Sequence, residues 1–240
     1  TECSWYGISC GNGRITGINF PSTFVNGVLV GNNLVGSIPA EIGVFTELTN
    51  LSLNSNHISG NIPDTLWNLT NLTFLNLSGN QLAGLVSSSI GNLTKLTYLN
   101  IGTNSLSGTI PDDLWNLSSL TSLYLADNQL TGTISTSIGN LTNLTNLNLG
   151  SNALSGTIPD QLWQLTSLSS LYLYSNTLTG AISSNIGNLV NLRYLGLWSN
   201  QFSGVIPVSL GSLSQLRHLE LGLNQLSGQI PSELGGLSLL

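Results

Sequence analysis

Charge is what this sequence has least of: Asp, Glu, Lys and Arg make up 6% of its 240 residues, against about a quarter in an ordinary soluble protein. Four basic residues face ten acidic ones, so no positive stripe exists to neutralise phosphates or anionic lipid. Nucleic acid and membrane contact by this segment are thereby excluded. Long apolar runs are missing as well. Every apolar stretch is broken by Asn, Ser, Thr or Gly within a few residues, far short of the roughly 18 to 20 that cross a bilayer. No initiator methionine, signal peptide, anchor or retrieval tail is visible, which reads as a processed or excised portion of a longer chain. His57 and His218 lie far from the two cysteines and from each other; a zinc site needs four ligands, so neither metal nor another cofactor is expected. There is no G-x-S-x-G elbow, no G-K-[ST] phosphate loop, no H-E-x-x-H, and a single lysine, Lys95. Asp112 and Asp113 are sequence neighbours and do not flank a scissile bond, so the reading is of a non-enzyme.

What is present is a period. Asn32, Asn56, Asn80, Asn104, Asn128, Asn152, Asn176, Asn200 and Asn224 recur every 24 residues, each with an apolar residue two positions on and a glycine four on. One unit, from Leu72 through Leu75, Leu77, Asn80, Leu82, Gly84, Val86 and Ile90 to Leu93, spells L-x-x-L-x-L-x-x-N-x-L-x-G-x-V-x-x-x-I-x-x-L, the pattern of a leucine-rich repeat. Leu75 and Leu77 are two apart and share the inner face of a short strand, leaving Phe74, Asn76 and Ser78 outside. One coil cannot bury that face alone. Stacked coils give a parallel sheet with strands about 4.8 Å apart and a continuous apolar interior. The fold class is therefore α/β, a solenoid of 24-residue coils with a curved parallel sheet and a short helical or 3-10 convex side. The periodic Asn reads as an amide that satisfies backbone groups where the chain leaves the strand, since an orphaned one inside costs about 1 to 3 kcal/mol.

A second regularity has twice the period. Trp67, Trp115 and Trp163 replace Gly91, Gly139 and Gly187 of the intervening units, and Pro63, Pro111 and Pro159 alternate with Ser87, Ser135 and Ser183. Pairs of repeats were duplicated together on this reading. The tryptophans read as space-filling between coils. Asp64, Asp112 and Asp160 follow the prolines and read as caps of short helical turns.

Cys3-Ser-Trp5-Tyr-Gly7-Ile8-Ser-Cys10, followed by Arg14-Ile15-Thr16-Gly17-Ile18, resembles the N-terminal cap of plant-type leucine-rich repeat proteins, C-x-W-x-G-V-x-C. The repeats keep the last residues of that subclass's L-x-G-x-I-P signature at Ile38-Pro39, Ile62-Pro63, Ile110-Pro111, Ile158-Pro159, Ile206-Pro207 and Ile230-Pro231. The resemblance implies ectodomains of receptor-like kinases, receptor-like proteins or polygalacturonase inhibitors: extracellular, glycosylated, and binding peptides, hormones or other proteins without catalysis. On it, residues 1–26 form a cap and residues 27–240 nine repeats in one solenoid. With two cysteines beside the cap tryptophan, the simplest reading is one disulfide, Cys3 to Cys10, made in an oxidising compartment. Three departures stand out. Residues 18–27 already fit a strand-to-Gly segment, yet the Asn ladder resumes at Asn32, nine residues after Thr23, so the junction is irregular. The chain stops at Leu240 inside a repeat with no closing unit, so something is expected to cover that end. The alternation of Pro with Ser weakens the expectation of the family's second, convex-edge sheet.

N-x-S/T acceptors stand at Asn50, Asn68, Asn71, Asn76, Asn92, Asn116, Asn140 and Asn143. Several follow from the repeat's own N-L-T spelling, so many are incidental on the plain reading; none lies beyond Asn143. The outward strand positions form three columns that hold five of the six tyrosines. Tyr172, Tyr174, Tyr194 and Trp198 fall on adjacent coils, with Arg193, Arg217, His218 and Glu220 near them in sequence. Tyr and Trp are common interface anchors, so this glycan-free half is the candidate ligand site. The plain alternative is cross-strand aromatic stacking that stabilises the sheet by about 0.2 to 1 kcal/mol per pair.

Three functions remain open on the sequence. The leading one is an extracellular module that binds a peptide, protein or glycan on its concave face. The second is a structural glycoprotein that self-associates head to tail through exposed solenoid ends. The third is ice binding, in which Ser107, Thr109, Thr131, Thr133, Ser155 and Thr157 form a hydroxyl ladder on a second flat face, interrupted by Leu85, Ala181 and Val205.

Overall fold

The computed structural model describes residues 2–4, 6–20, 23–25, 28–30 and 32–240. Trp5 and the expected boundary between residues 26 and 27 lie outside the described residues. Two parallel sheets run along a curved solenoid.

The first sheet has ten strands among the described residues. Ile8–Gly11 pairs antiparallel with Arg14–Asn19, and Asn50–Ser52, Phe74–Asn76, Tyr98–Asn100, Ser122–Tyr124, Asn146–Asn148, Ser170–Tyr172, Tyr194–Gly196 and His218–Glu220 follow in parallel. Register repeats with the sequence: Leu75 faces Leu99 and Leu99 faces Leu123. These leucines are wholly buried, as strict alternation across a half-covered strand requires. At the cap the shift is larger, with Ile18 facing Leu51. The nine residues in excess of 24 correspond to an antiparallel ribbon, Thr23–Val25 paired with Val28–Val30, and this is the form the irregular junction takes. Cys3 and Cys10 are joined by a disulfide.

The Asn ladder holds successive coils together. Asn80 Nδ2 donates to Leu77 O in its own coil and to Leu53 O one coil back, while its Oδ1 accepts from Ile58 N–H. The same set recurs at Asn104, Asn128, Asn152, Asn176, Asn200 and Asn224. The residue before most of these asparagines is left-handed, such as Ser55 at φ 57° and Ser151 at φ 50°. That turn aims several carbonyls at one amide.

The second sheet has nine strands among the described residues, running through Val35–Gly36, His57–Asn61, Gln81–Leu85, Ser105–Thr109, Gln129–Thr133, Ala153–Thr157, Thr177–Ala181, Gln201–Val205 and Gln225–Ser227. The exchange of Pro for Ser does not interrupt it. Ser135 sits at φ -66°, ψ 148°, close to Pro111 at φ -67°, ψ 140°, and its hydroxyl also accepts the Ser137 N–H. Serine thus reaches the proline conformation with a capping bond added. The turns that follow these strands correct the reading of the aspartates. Asp64, Asp112 and Asp160 are the first residues of 3-10 turns whose N-caps are the prolines, and none of those turns has a side-chain capping bond. The caps are the serines of the alternate coils.

The convex side is 3-10 throughout the described coils. Trp67, Trp115 and Trp163 are buried to within 1% and join the leucine core. Trp67 and Trp163 carry their indole N–H groups into it without a hydrogen-bond partner.

Candidate functional site

The outward side chains of the first sheet lie one coil apart in columns, and rings on neighbouring coils meet face to face. Tyr174 stacks on Trp198 with centroids 5.4 Å apart and planes 3° from parallel. Tyr194 stacks on His218 at 5.1 Å and 11°. Tyr172 meets the edge of Tyr174 at 6.3 Å, which ties two columns together. Such pairs contribute about 0.5 to 1.5 kcal/mol beyond their burial.

Glycines make the room for these rings. A Cβ on Gly150 would lie 2.5 Å from Tyr174 Cζ, and one on Gly196 would lie 2.8 Å from Tyr172 Cδ1 and 3.6 Å from Glu220 Oε2. The tyrosines therefore lean over bare backbone, and the Glu220 carboxylate converges on Gly196 from the next coil. Tyr172, Tyr194, Leu195, His218 and Glu220 line one hollow of about 230 Å³. Beyond Trp198 in its column comes Gly222, where an added Cβ would meet nothing within 4 Å.

Electrostatics in the site follow from burial and one carboxylate. Burial raises the Tyr172 phenol above its usual range, with the charges of Tyr194 and Glu220 acting the same way. Burial likewise raises Tyr174, seconded by Asp127, against a hydrogen bond with Asn148 that lowers it. Both phenols stay neutral donors at physiological pH. The Glu220 carboxylate makes no ion pair or hydrogen bond among the described residues, where the single ion pair is Arg14–Glu47 at 3.3 Å.

Of the residues singled out in the sequence, Tyr172, Tyr194, His218 and Glu220 come together in the hollow, and Tyr174 with Trp198 forms the stack beside it. Arg193 and Arg217 do not line the hollow. They occupy the strand border where Thr73, Thr97, Thr121 and Thr145 donate their hydroxyls to the carbonyl one coil back. Gly150 and Gly196 were missed. Their signal was present as a glycine one coil from a tyrosine or tryptophan in the same outward column. A second ring stack, Phe74 on Tyr98 at 4.4 Å with Tyr124 tilted beyond it, lies in the half that bears Asn50 and Asn76.

The acceptor asparagines differ in their surroundings. Asn68, Asn92, Asn116 and Asn140 end successive 3-10 turns and are exposed. Asn71 and Asn143 donate their amides to Thr46 O and Ser118 O, and Asn76 Oδ1 accepts from the Ser78 hydroxyl. Among the described residues no three His, Cys, Asp or Glu side chains cluster as metal ligands, and no helix is long and apolar enough to cross a membrane.

The second sheet presents a different surface. From Gln81–Leu85 to Gln225–Ser227 no strand carries a charged residue. Each strand contains or ends on a left-handed glycine, and the preceding coil's side chain packs on it: a Cβ on Gly156, at φ +75°, would lie 2.9 Å from Thr133 Cγ2. Thr109, Thr133 and Thr157 repeat this arrangement, while Leu85 at 68% and Val205 at 60% exposure flank the threonine run.

Two family models, both described as leucine-rich repeat, match residues 27–82 and 83–130 in one case and 143–165, 167–189, 191–213 and 215–237 in the other. Among solved structures, the chain is similar to the ectodomain of the Arabidopsis receptor kinase HAESA, in complex with an N-terminally extended IDA peptide hormone, at 36% identity and TM-score 0.86. That match covers 100% of this chain and 43% of the other. It is similar to a TDR receptor at 39% identity and TM-score 0.81, over 83% of this chain and 35% of that one. It is also similar to a plant ice-binding protein at 28% identity and TM-score 0.76, over 96% of this chain and 80% of that one. The chain thus spans less than half the length of these two receptors. No curated protein matches the sequence.

Proposed function

The chain belongs to the plant-type leucine-rich repeat family, and on that premise we propose that it is an extracellular, non-catalytic recognition module whose first sheet binds a ligand at Tyr172, Tyr174, Tyr194, Trp198, His218 and Glu220. A peptide or protein is the favoured ligand class, with a glycan behind it. One observation carries the reading: on adjacent coils three rings, Tyr172, Tyr194 and His218, line a hollow with Glu220, and two more, Tyr174 and Trp198, stack beside it. Half-exposed Tyr and Trp with neutral phenol donors are the groups that anchor protein interfaces. Similarity to a receptor ectodomain in complex with a peptide hormone supports the ligand class. The acceptor asparagines, Asn50 and Asn68 among them, leave this half of the sheet clear of attached sugar. The test is selection from a displayed library of random peptides. Captured peptides should be lost by the variant carrying Tyr172→Ala, Tyr194→Ala and Trp198→Ala, while its melting curve falls only by the loss of two ring stacks and one edge contact. Retention of every captured peptide by that variant refutes the reading.

A second reading, ice binding, is favoured by a separate observation. The uncharged second sheet sets Thr109, Thr133 and Thr157 in fixed positions on successive strands, and the chain covers most of a plant ice-binding protein. Thermal hysteresis that Thr133→Lys removes supports it. An inactive wild-type chain eliminates it.

A further inference from the structure

The second ring cluster of the first sheet stands beside an acceptor asparagine and a polar hollow, and one modification accounts for all three. We propose that Asn76 carries an N-linked glycan whose first sugar rings lie down in that hollow, against Tyr124 and Asp127. The inference rests on the extracellular reading above, because such sugar is added on the secretory route.

Three observations converge on it. The first is the amide. Asn76-Leu77-Ser78 is an acceptor whose oxygen is already engaged: Asn76 Oδ1 accepts from the Ser78 N–H at 3.1 Å and from the Ser78 hydroxyl at 2.8 Å. Its Nδ2 makes no hydrogen bond among the described residues, so a sugar joined there breaks none. Asn71 and Asn143 instead commit an amide proton to a carbonyl one coil back. At Asn50 the acceptor hydroxyl, that of Ser52, turns to Asn54.

The second observation is the space. About 350 Å³ lies beside Asn76 on the first sheet, with Ser78, Asn100, Gly102, Tyr124, Ala126 and Asp127 in its lining. Each of these residues has a coil before it and a coil after it, so the hollow is bounded along the solenoid. Gly102 and Ala126 keep it open, and a Cβ on Gly102 would lie 2.9 Å from Ala126 O.

The third is the chemical match. A pyranose has a face of C–H groups and a rim of hydroxyls. Phe74, two residues before Asn76 on the same face of its strand, stacks on Tyr98 at 4.4 Å, and Tyr124 stands tilted beyond at 5.6 Å. These rings give the C–H face an aromatic wall. Asn100 and Asp127 offer an amide and a carboxylate to the hydroxyls, and Asp127 makes no ion pair among the described residues. None of the other acceptors has an aromatic residue two positions before it. Attachment forms a bond from Nδ2 to C1 of the sugar while the bond from C1 to the diphosphate of a lipid-linked oligosaccharide breaks. The lipid diphosphate leaves, one amide proton passes to solvent, and nothing is oxidised or reduced. Sugar seated there covers the Phe74–Tyr98 stack and leaves Tyr172, Tyr174, Tyr194 and Trp198 as the open ring cluster of the sheet.

The test is glycopeptide mass mapping of the chain secreted from mammalian cells, followed by timed digestion of the native protein with an N-glycosidase. Asn76 should bear sugar, and its release should be about tenfold slower than release from exposed acceptors such as Asn68 or Asn92, the ratio that one ring contact and a hydrogen bond supply. Denaturation should make the rates equal. Tyr124→Ala, and Asp127→Ser, which installs the residue found at Ser55 and Ser151, should each raise the native Asn76 rate toward the others with occupancy unchanged. A bare Asn76 on a chain that bears sugar elsewhere overturns the inference, as does release as fast as from the exposed acceptors, or slow release that neither variant moves. A chain bare at every acceptor overturns it together with the glycoprotein reading. Peptide capture that needs Tyr172, Tyr194 and Trp198 on a chain bare at Asn76 leaves the proposed function standing and this inference refuted.

Discussion

Removing one rung of the asparagine ladder at the middle of the solenoid should cost more than removing one near its end, and the hydrogen bonds say by how much. Asn176 Oδ1 accepts from Leu154 N–H at 2.9 Å, and Nδ2 points at the carbonyls of Leu149, Leu173 and Tyr174, each at 3.1 Å. Asn176→Ala does not orphan those carbonyls. Leu149 O keeps Asn152, Leu173 O keeps Asn200, and Tyr174 O keeps Ser151 N–H. Only Leu154 N–H loses its acceptor, in a buried place. One orphaned buried donor costs about 1 to 3 kcal/mol, and in a stacked array the loss falls on both neighbouring interfaces. Asn224 makes the equivalent bond to Phe202 N–H, but that bond is part-buried where the Leu154 bond is buried, so water reaches the orphaned donor and Asn224→Ala should cost about 1 kcal/mol or less. Asn176→Asp tests the polarity of the rung. It turns a donor facing three carbonyls into an acceptor, so it should destabilise more than alanine at neutral pH and recover on acidification, when the protonated acid can donate. Urea unfolding with matched slopes measures all three. Equal midpoints for Asn176→Ala and Asn224→Ala, or an aspartate variant indifferent to pH, would refute the argument.

Other perturbations follow from single contacts. Trp163 buries an indole N–H without a partner; Trp163→Phe removes that N–H and should cost far less than Trp163→Ala, which forfeits about 3 to 5 kcal/mol, as thermal melts will register. Ser135→Ala should lose about 0.5 to 2 kcal/mol with the cap, whereas Ser135→Pro, which loses the same cap, should cost less, because φ is already -66° and proline's restriction of the unfolded chain returns about 0.4 to 1 kcal/mol. Burial raises the phenols of Tyr124, Tyr172 and Tyr174, so the folded state holds those protons more tightly than the unfolded chain. Stability is then indifferent to these groups below about pH 10 and falls as pH rises from the unfolded phenol value through the raised folded ones; Tyr172→Phe should flatten that alkaline slope in a pH series of melts.

The period made the core and the first sheet legible, because a residue such as Leu75 or Asn80 answers to its own coil and to the copies of itself 24 residues away. Errors arose where one position has two chemical solutions. Ser87, Ser135 and Ser183 read as a loss of proline, yet serine reaches the same extended backbone and adds a cap. Asp64, Asp112 and Asp160 read as caps because acids favour helix starts, yet they stand one residue inside turns that the prolines already begin. The site was legible as a set of rings and illegible as a space. Tyr172 and Trp198 announce themselves by size, while Gly150 and Gly196 matter through the room they leave for the rings, which only the stacking of coils reveals. Arg193 and Arg217 were drawn in by sequence proximity, but a position one residue before the strand belongs to its border.

The two sheets share one set of coils and differ in how much those coils repeat. On the second sheet the outward residues vary little along the run, with Ser107, Thr131 and Ser155 in one column and Thr109, Thr133 and Thr157 in the next, each threonine methyl set on the next coil's glycine. A face that repeats at the strand spacing matches a partner that itself repeats, such as a crystal surface, and adding coils strengthens the match without changing its kind. On the first sheet the C-terminal coils differ from one another: Ser170 gives way to Tyr194 and His218, Tyr172 to Gly196 and Glu220, Tyr174 to Trp198 and Gly222. An aperiodic arrangement gains nothing from a repeating partner and specifies a finite one, whose groups must meet these rings and this carboxylate in one fixed arrangement. Exchanging coils tests this directly. Replacing residues 194–217 with a second copy of residues 146–169 keeps the core pattern and the second-sheet spacing while erasing Tyr194 and Trp198, so peptide capture should vanish and any ice activity persist; loss of both, or of neither, would break the assignment of one face to each kind of partner.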